Sequence, residues 1–353
     1  MVSNMLRVKL VGAGGYGGVG AAEIFSRHPE ADLVALVDIT DVGTKISELY
    51  PHLRGVCDLT IIDAKLDTVD ADAVFFATPD RVGMKNAQRY VDLGSRVIDY
   101  SGDFRFNTTE TYSEYASRIN IDPDHNAADL LAKSAYGLAE LHRDEIRSAT
   151  VVGNPGCFAV SAILGAAPAV ADRLIDADRL IIDAKTGVSG AGKKASPLFH
   201  YPHRYEEMNA YKMCKHQHVM EVERELSLLA GKRLAVTFNS QVVPVVRGIM
   251  TSIYAPLADG IGYDDALESY RSFYRDEPFV FVTDENGTVG NRHIRGTNRC
   301  NLWINADRRT NTLIVMSHID NLLKGQAGSA VQNLNIMFGL DETAGLGGPG
   351  MYP

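Results

Sequence analysis

The residue best suited to carry out chemistry is Cys157, which follows a short β-branched run and the turn Asn154-Pro155-Gly156. The small apolar residues after it, "FAVSAILGAAPAV", predict a helix, so we expect the thiol at a helix N-terminus. The positive end of a helix favours a thiolate, and its unpaired N–H groups suit an oxyanion. A small residue buried in a turn is the alternative, and the cysteine alone favours neither.

Two histidines, His216 and His218, stand just before a predicted helix that contains three glutamates. A histidine that gains and loses a proton near pH 7 would serve as the acid/base beside a thiolate. A surface pair of histidines is the alternative. Two histidines at i and i+2 could also bind a metal ion, but no third and fourth ligand is evident nearby, so we predict no metal site.

A glycine turn near the start of the chain indicates a dinucleotide site. The segments "RVKLV", "GAGGYGG" and "ADLVALVD", with a helical pattern before the last, predict a βαβ unit. Gly12, Gly14 and Gly17 fit the spacing that lets backbone N–H groups approach a pyrophosphate. A turn that binds nothing is the alternative. A thiolate and a hydride donor together define one chemistry: an acyl group becomes a thioester and is reduced to an aldehyde.

The predicted elements place these groups in two domains. Over about the first 150 residues, apolar strands alternate with helices, which predicts an α/β fold with a doubly wound parallel sheet. After the Cys157 helix, the strands alternate more and fewer helices intervene, so we predict an α+β domain with a largely antiparallel sheet. The last segment, "NLLKGQAGSAVQNLNIMFGL", predicts a long helix whose small residues allow a backbone or a ligand to approach closely.

Composition excludes several classes of function. The 353 residues carry a formal net charge of -9 with no basic run, so we expect no nucleic-acid partner. No apolar run is long enough for a membrane span, and the start "MVSNMLRVKLVGAGG" does not resemble a signal peptide. Four dispersed cysteines favour a reducing compartment. We therefore expect a cytoplasmic protein without a membrane partner.

The order of several motifs resembles that of the N-acetyl-γ-glutamyl-phosphate reductases. The motifs are "GAGGYGG", "SGDFRF", "GNPGC", "KTGVSGAGKK", "HQHVMEVE", "VVPVVRGI" and "IDNLLKGQAGSAVQNLN". This family is related to aspartate-semialdehyde dehydrogenase. The resemblance implies NADPH-dependent reduction of N-acetyl-γ-glutamyl phosphate to N-acetylglutamate 5-semialdehyde, with phosphate release, in arginine biosynthesis. It also implies a dinucleotide-binding domain at residues 1–155 and 325–353, a catalytic and dimerisation domain at 156–324, and a homodimer or homotetramer.

The resemblance also implies roles for individual residues. Cys157 would be the nucleophile, and His216 the acid/base because it has the freer approach to substrate, with His218 close behind. We expect the small anionic acyl phosphate to be bound by the guanidinium groups of Arg105 and Arg247 together with Asn154, Ser189 and Lys193. Each arginine could instead form a structural ion pair, with Asp103 as the candidate partner of Arg105, and the lysine could belong to a flexible loop.

The predicted cofactor-binding residues come from the glycine turn, two strand ends and the second domain. They are Gly12, Gly14, Gly15, Tyr16, Gly17, Gly18, Asp38, Thr40, Thr78, Pro79, Gly187, Gly190 and Asn321. Asp38-Ile39 stands where the family commonly has Ser-Arg, and an acid at that strand end suits the ribose hydroxyls of NAD. The family resemblance implies NADP, whereas Asp38 favours NAD. We therefore expect NADP as the cofactor, with NAD also used.

Two other functions stay open at this level. The chain could reduce a different acyl phosphate, such as aspartyl phosphate or a carrier-bound glutamyl or aminoadipyl phosphate. It could also be a non-catalytic nucleotide-binding protein in which Cys157 is inert.

Overall fold

The computed structural model describes residues 5–352, which form two compact units. The first unit holds residues 5–156 and 326–347, and the second holds 157–325 and 348–352. The predicted nucleotide-binding domain included residues 325–353. Residues 348–352 instead pack with the second unit, because the Met351 N–H donates to the Arg295 carbonyl at 2.8 Å and Gly350 lies against the same carbonyl.

The first unit is built on a seven-stranded sheet in which all paired strands are parallel. Its strands are β1 (Leu6–Val11), β2 (Ala31–Asp38), β3 (Ile61–Asp63), β4 (Ala73–Phe76), β5 (Arg96–Asp99), β6 (Ala135–Tyr136) and β7 (Val151–Gly153). Their spatial order is β3-β2-β1-β4-β5-β7-β6. The central strands are apolar runs buried on both faces, as expected for a parallel sheet. The doubly wound fold is thus confirmed.

Helices connect these strands. They are α1 (Tyr16–Phe25), α2 (Ile46–Leu49), α3 (Gly83–Asp92), α4 (Thr109–Arg118), α5 (Ala128–Leu131) and α6 (Ala139–Ser148). The first of them follows the glycine turn, so strand, turn, helix and strand occur in the predicted order. As a result, the helix N-terminus and the carboxyl ends of the central strands belong to the same edge of the sheet.

The second unit is an α+β domain with a mixed seven-stranded sheet. Its strands are β8 (Ile181–Thr186), β9 (Asn209–Ala210), β10 (Thr237–Val242), β11 (Ile249–Pro256), β12 (Val280–Thr283), β13 (Cys300–Asp307) and β14 (Thr312–Ile319), in the order β12-β13-β14-β11-β8-β10-β9. Two strand pairs, β8–β10 and β12–β13, are parallel, and the other four are antiparallel. The predicted fold class is confirmed, with parallel pairing near both sides of the sheet.

The helices of this unit are α7 (Cys157–Ala171), α8 (Tyr201–Arg204), α9 (Val219–Ala230), α10 (Tyr263–Phe273) and α11 (Asn291–Ile294). One face of the sheet packs under α7 and α10 and is fully buried. The opposite face is only half-buried along most of its length. A π-helical turn, Leu323–Ala327, then leads into α12 (Gly328–Phe338) of the first unit.

The buried helix α7 contains a proline in its interior, and two tyrosine hydroxyls compensate for it. Pro168 has no N–H, so the Leu164 carbonyl loses its donor within the helix. The Tyr274 hydroxyl donates to that carbonyl at 2.6 Å, and the Tyr270 hydroxyl donates to the next one, Gly165, at 2.6 Å. The helix that begins at Cys157 is therefore anchored without a buried unpaired carbonyl at the proline.

Among residues 5–352, no helix has both the length and the apolar character that crossing a membrane requires.

Candidate active site

The thiol of Cys157 is half-buried at the first residue of α7, at the positive end of that helix. Gly325 packs against it, and a Cβ atom on Gly325 would lie 2.7 Å from the Cβ of Cys157. The Gly325 N–H is fixed by the Asp320 carbonyl at 2.9 Å. Glycine is required here because any side chain would collide with the cysteine, which accounts for one of the small residues in "KGQAG".

The turn that precedes Cys157 is fixed by Asn154, whose side chain is almost fully buried. Its backbone N–H donates to the Asp99 carbonyl at 2.7 Å, and its Nδ2 donates to the Gln326 carbonyl at 3.0 Å. Its Oδ1 accepts a hydrogen bond from Asn333 Nδ2 at 3.2 Å. The amide predicted to bind substrate is therefore committed to protein partners in the first unit.

Arg105 supports the same turn from the other side. Its guanidinium is buried and donates to the Asn154 carbonyl at 2.8 Å and to the Tyr100 carbonyl at 2.6 Å. Asp103, the candidate ion-pair partner, accepts two backbone N–H groups at the start of α3, at 2.8 and 3.0 Å. These two bonds fix the guanidinium beside the turn that precedes Cys157.

The two predicted histidines lie together in an aromatic cluster of the second unit. The His216 ring lies 4.6 Å from that of His218, 5.0 Å from Phe158, 5.7 Å from Tyr211 and 5.9 Å from Phe238. His218 immediately precedes α9, as predicted. His216 is 4 % exposed and His218 9 % exposed, so neither is a surface residue and His216 is the more buried of the pair. The expected freer approach for His216 is thus not observed.

The environment of His216 fixes its protonation. Burial, helped by His218 and Lys212, lowers the pKa of His216 to about 2, and the carboxylate of Glu221 opposes this shift only in part. The His218 N–H donates to His216 Nδ1 at 3.2 Å, so the neutral ring carries its hydrogen on Nε2. His216 is therefore a neutral hydrogen-bond donor at physiological pH, rather than a group that titrates near pH 7.

Tyr211 is a residue of this cluster that the sequence analysis missed. Burial and the charge of Cys157 raise the pKa of Tyr211, so the phenol and the thiol share one electrostatic environment. The Tyr211 N–H is held by the Ser240 carbonyl at 2.8 Å. The only sequence signal was its position five residues before His216, in a segment without a clear periodicity.

Arg247 is paired with a fully buried carboxylate, that of Asp320. The distances are 2.9 Å from Nη2 to Oδ2 and 3.2 Å from Nε to Oδ1. Asp320 also accepts the N–H groups of Gly296 at 2.8 Å and Leu322 at 2.9 Å. The Arg247 side chain is 20 % exposed, so the structural ion pair and an accessible guanidinium edge coexist.

The predicted loop residues of the second unit are held by Asn321. Its Nδ2 donates to Ser189 Oγ at 3.0 Å, and its Oδ1 accepts the Gly248 N–H at 2.7 Å. Gly187, just after the end of β8, is fixed next to the start of β11, because its N–H donates to the Gly248 carbonyl at 2.9 Å. Gly190 and Lys193, farther along the loop, are exposed. Asn321 therefore positions the loop, and the loop presents its tip to solvent.

The glycine turn of the first unit is as tight as its sequence suggested. Gly12 has φ +86°, and a Cβ atom there would lie 2.4 Å from the Ala77 carbonyl oxygen. A Cβ atom on Gly18 would lie 2.5 Å from the Gly12 carbonyl oxygen. Gly15 precedes α1, which begins at Tyr16. The close packing of this turn therefore requires glycine at both positions, as expected for the turn of a dinucleotide-binding βαβ unit.

Asp38 is tied to this turn and to its own loop. Its Oδ2 accepts the Gly14 N–H at 2.9 Å. Its Oδ1 accepts the N–H groups of Ile39 at 2.7 Å and Thr40 at 3.2 Å, and the Thr40 hydroxyl at 3.2 Å. The carboxylate that would meet an adenine ribose is thus used in part as a cap for the loop.

Thr78 gives an independent sign that a ligand belongs here. Its Oγ1 is buried and has no hydrogen-bond partner among residues 5–352. A Cβ atom added to Gly12 would lie 2.9 Å from Thr78 Cγ2, so the Thr78 side chain packs against the glycine turn. The adjacent Pro79 is exposed. An orphaned hydroxyl and a cradle that excludes side chains together fit a bound dinucleotide.

No group of three or more His, Cys, Asp or Glu side chains between residues 5 and 352 is arranged to hold a metal ion.

Two family descriptions match most of the chain. Residues 7–149 match "Semialdehyde dehydrogenase, NAD binding domain", and residues 157–321 match "Semialdehyde dehydrogenase, dimerisation domain". The N-acetyl-gamma-glutamyl-phosphate reductase of Pelotomaculum thermopropionicum is 43% identical over 350 residues, covering 99% of each chain. The protein of the same name from Desulforudis audaxviator is 42% identical over 351 residues, covering 99% of this chain and 100% of its own.

Solved structures show the same fold. Aspartate semialdehyde dehydrogenase II from Vibrio cholerae superposes with a TM-score of 0.71 at 15% identity, covering 95% of this chain and 99% of that one. The crystal structure of aspartate semialdehyde dehydrogenase with NADP from Candida albicans gives a TM-score of 0.66 at 14% identity, covering 95% of this chain and 99% of that one.

The neutral state of His216 predicts how Cys157 responds to pH. An imidazolium beside a thiolate lowers the thiol pKa, whereas a neutral imidazole does not act through charge. We expect His216→Asn to shift the midpoint of Cys157 alkylation by less than about half a pH unit. The rate is measured between pH 5 and 9 with iodoacetamide and peptide mass spectrometry, with exposed Cys214 as the internal control. A midpoint that rises by more than about one unit would show that His216 is charged beside the thiolate.

Proposed function

We propose a function for this chain from its membership of the N-acetyl-gamma-glutamyl-phosphate reductases, which belong to the semialdehyde dehydrogenase family. In this proposal the protein reduces N-acetyl-γ-glutamyl phosphate to N-acetylglutamate 5-semialdehyde and releases phosphate. The reaction is a step of arginine biosynthesis. The observation that carries the proposal is the position of Cys157, at the N-terminus of α7 and packed against Gly325. A half-buried thiol at a helix terminus is suited to nucleophilic attack. The dispersed cysteines favour a reducing compartment, and we place the activity in the cytoplasm.

Cys157 performs the covalent steps in this proposal. Its thiolate attacks the acyl carbon, the C–S bond forms, and the C–O bond to phosphate breaks. The N–H groups at the start of α7 stabilise the oxyanion that develops on the acyl oxygen. When bound, the cofactor supplies a hydride. The thiolate of Cys157 leaves as the aldehyde forms, so the nucleophile is regenerated.

His216 is the proposed partner of the reacting acyl group, with His218 as the alternative. Its hydrogen resides on Nε2, so the ring acts by donating a hydrogen bond to developing negative charge rather than by removing a proton at pH 7. The aromatic side chains of Phe158 and Phe238 pack around it and hold the ring in place. His218 holds the tautomer of His216 through its backbone N–H.

Binding of the anionic substrate is proposed for three cationic side chains. Arg247 keeps an exposed guanidinium edge while Asp320 fixes its orientation, so it suits a carboxylate of the substrate. Arg105 is buried next to the turn at Asn154, and its positive charge suits a phosphoryl group bound near that turn. Lys193 lies on the exposed loop and would add positive charge. Asn154 and Ser189 contribute by positioning these segments.

The cofactor is an NAD(P) dinucleotide, and we propose NADP with NAD also accepted. The glycine turn, Tyr16 and Thr78 would hold the pyrophosphate half, and Asp38 and Thr40 would border the adenine ribose. Because the Asp38 carboxylate caps its own loop, its charge is partly neutralised by N–H donors, which makes room for a 2′-phosphate nearby. Gly187, Gly190 and Asn321 are proposed for the nicotinamide side.

We also propose that the chain forms a homodimer, or a homotetramer built from such dimers, through the half-buried face of the second sheet. Five buried polar atoms on this face lack hydrogen-bond partners among residues 5–352: Asn239 Oδ1, Gln241 Oε1, Asn301 Oδ1, Trp303 Nε1 and His318 Nδ1. Apolar side chains, including Ile314 and Met316, are interspersed with them. A second copy of the same polar and apolar face would supply both kinds of partner, as an isologous interface does. The dimerisation-domain description of residues 157–321 supports this assembly.

Replacement of the nucleophile tests the covalent mechanism. We expect Cys157→Ser to lose several orders of magnitude in kcat, because a serine hydroxyl at this position lacks an accessible anion. The dissociation constant for NADP should stay within about twofold of that of the wild type. The matched control is Cys214→Ser, which changes an exposed cysteine and should keep its activity. Substantial turnover by Cys157→Ser would rule out a thioester.

Cofactor preference is tested at Asp38. We expect kcat/KM for NADPH to exceed that for NADH by less than about tenfold in the wild type, because a carboxylate near a 2′-phosphate costs Coulomb energy. Asp38→Asn keeps the acceptor for Ile39 and Thr40 while removing the charge, and should widen the preference for NADPH. Asp38→Ser removes the loop cap as well, so comparing the two variants separates charge from geometry. A wild type that prefers NADH contradicts the NADP proposal.

The proposed interface predicts the mass in solution. Sedimentation equilibrium of the wild type should give two or four times the chain mass of 38.5 kDa. Met316→Arg places a charge on the proposed interface and should shift the protein towards monomer. Met208→Arg, at a residue that is 68 % exposed, is the control and should leave the mass unchanged. A monomeric wild type at micromolar concentration would refute the assembly.

A further inference from the structure

Gln326 places a side-chain amide against the first turn of α1. An added Cβ atom on Gly17 would lie 3.0 Å from Gln326 Nε2, 3.1 Å from Cδ and 3.2 Å from Oε1, so the amide plane lies flat over the Gly17 Cα. The backbone carbonyl of Gln326 accepts the Asn154 Nδ2 hydrogen bond at 3.0 Å, which fixes the start of the side chain. All three residues belong to the first unit. Gln326 therefore joins the glycine turn to the turn after β7.

The oxygen of this amide lacks a hydrogen-bond donor within the described part of the chain. Gln326 Oε1 is buried and lacks a hydrogen-bond partner among residues 5–352. A buried carbonyl oxygen without a donor costs free energy, so such atoms in folded proteins usually meet a ligand or an ordered water. Thr78 Oγ1, next to the same glycine turn, is also buried and unpaired in the part of the chain that the structure describes. Two orphaned polar atoms around one turn point to a single ligand that supplies hydrogen-bonding groups to both.

The position in the sheet indicates which half of a dinucleotide is involved. The adenine ribose of a dinucleotide lies at the end of β2, where Asp38 is found. The Gln326 carbonyl is hydrogen-bonded to Asn154, which follows β7. In the sheet, β7 lies on the opposite side of β1 from β2. The pyrophosphate is an acceptor and cannot pair with a carbonyl oxygen. The neutral donors on the remaining half are the nicotinamide carboxamide and the hydroxyls of its ribose.

We propose that Gln326 Oε1 accepts a hydrogen bond from a neutral donor on the nicotinamide half of the cofactor. This inference rests on the proposed NAD(P) cofactor and adds a binding residue to it. Since NAD and NADP differ only at the adenine ribose, the contact is common to both. Gln326 therefore sets the affinity for the dinucleotide without setting the choice between its two forms.

Equilibrium binding tests this contact without turnover. Gln326→Met keeps the length of the side chain and removes its hydrogen-bonding groups. We expect the dissociation constants for NADP and NAD, measured by calorimetry, to rise about tenfold and by the same factor. Gln88→Met, an exposed residue on α3, is the matched control and should bind both dinucleotides as the wild type does.

Two ligand analogues identify the donor. The 3-acetylpyridine analogue of NADP has a methyl group in place of the carboxamide nitrogen, and 2′-phospho-ADP-ribose lacks the nicotinamide ring. If the carboxamide is the donor, the wild type binds both analogues more weakly than NADP and Gln326→Met binds them as the wild type does. If a ribose hydroxyl is the donor, Gln326→Met is weaker than the wild type for all three ligands.

The outcomes separate this inference from the proposed function. A wild type that binds neither dinucleotide contradicts the proposed function itself. A wild type that binds them while Gln326→Met stays within twofold overturns the role of Gln326, as does a loss confined to NADP. Melting temperatures are recorded for each variant. If Gln326→Met does not fold, Gln326→Ala is used with the same expectations, because it keeps the backbone bond to Asn154.

Discussion

The buried carboxylate of Asp320 is the interaction on which the catalytic unit depends. Its side chain holds the guanidinium of Arg247 and the backbone of Gly296, and its carbonyl holds Gly325 against Cys157. One residue thereby links Arg247, which is proposed to bind the substrate, to Gly325, which packs against Cys157. A buried charge of this kind is tolerated because each of its oxygens accepts N–H donors. The distance between the two functional groups is thus set by packing around Asp320 rather than by the mobility of long side chains.

Asn154 has the corresponding position in the nucleotide-binding unit. It donates hydrogen bonds to the end of β5 and to the Gln326 carbonyl. It accepts hydrogen bonds from Asn333 of α12 and from Arg105. The sequence separations are large, from 49 residues to 179. Because of these contacts, the conformation of the turn before Cys157 depends on residues from the whole unit. Local propensity supplies the Pro-Gly bend, and distant partners supply its rigidity.

The sequence was sufficient for features that depend on local pattern. The βαβ unit, the glycine turn and the helix that begins at Cys157 follow from periodicity and from glycine stereochemistry, and the structure has all three. It was insufficient where burial or a distant partner decides. The burial of His216 depends on Phe158 and Phe238, which are far apart in the chain, so its neutral state could not be read from the pair "HQH". The same holds for Gln326, whose environment comes from Gly17 some 300 residues earlier, and for Asp38, whose carboxylate turns towards Gly14.

The unpaired polar atoms on the half-buried face of the second sheet have a thermodynamic consequence. A lone subunit must leave Asn301, Trp303 and His318 unsatisfied at a surface that solvent reaches poorly. The proposed pairing with a second copy would remove this penalty, so that part of the folding free energy would become available only on association. Resistance to heat and to denaturant would then increase with protein concentration, and dilution would destabilise a chain whose covalent structure and solvent are unchanged. For such a protein, the free energy of unfolding depends on the protein concentration as well as on the sequence.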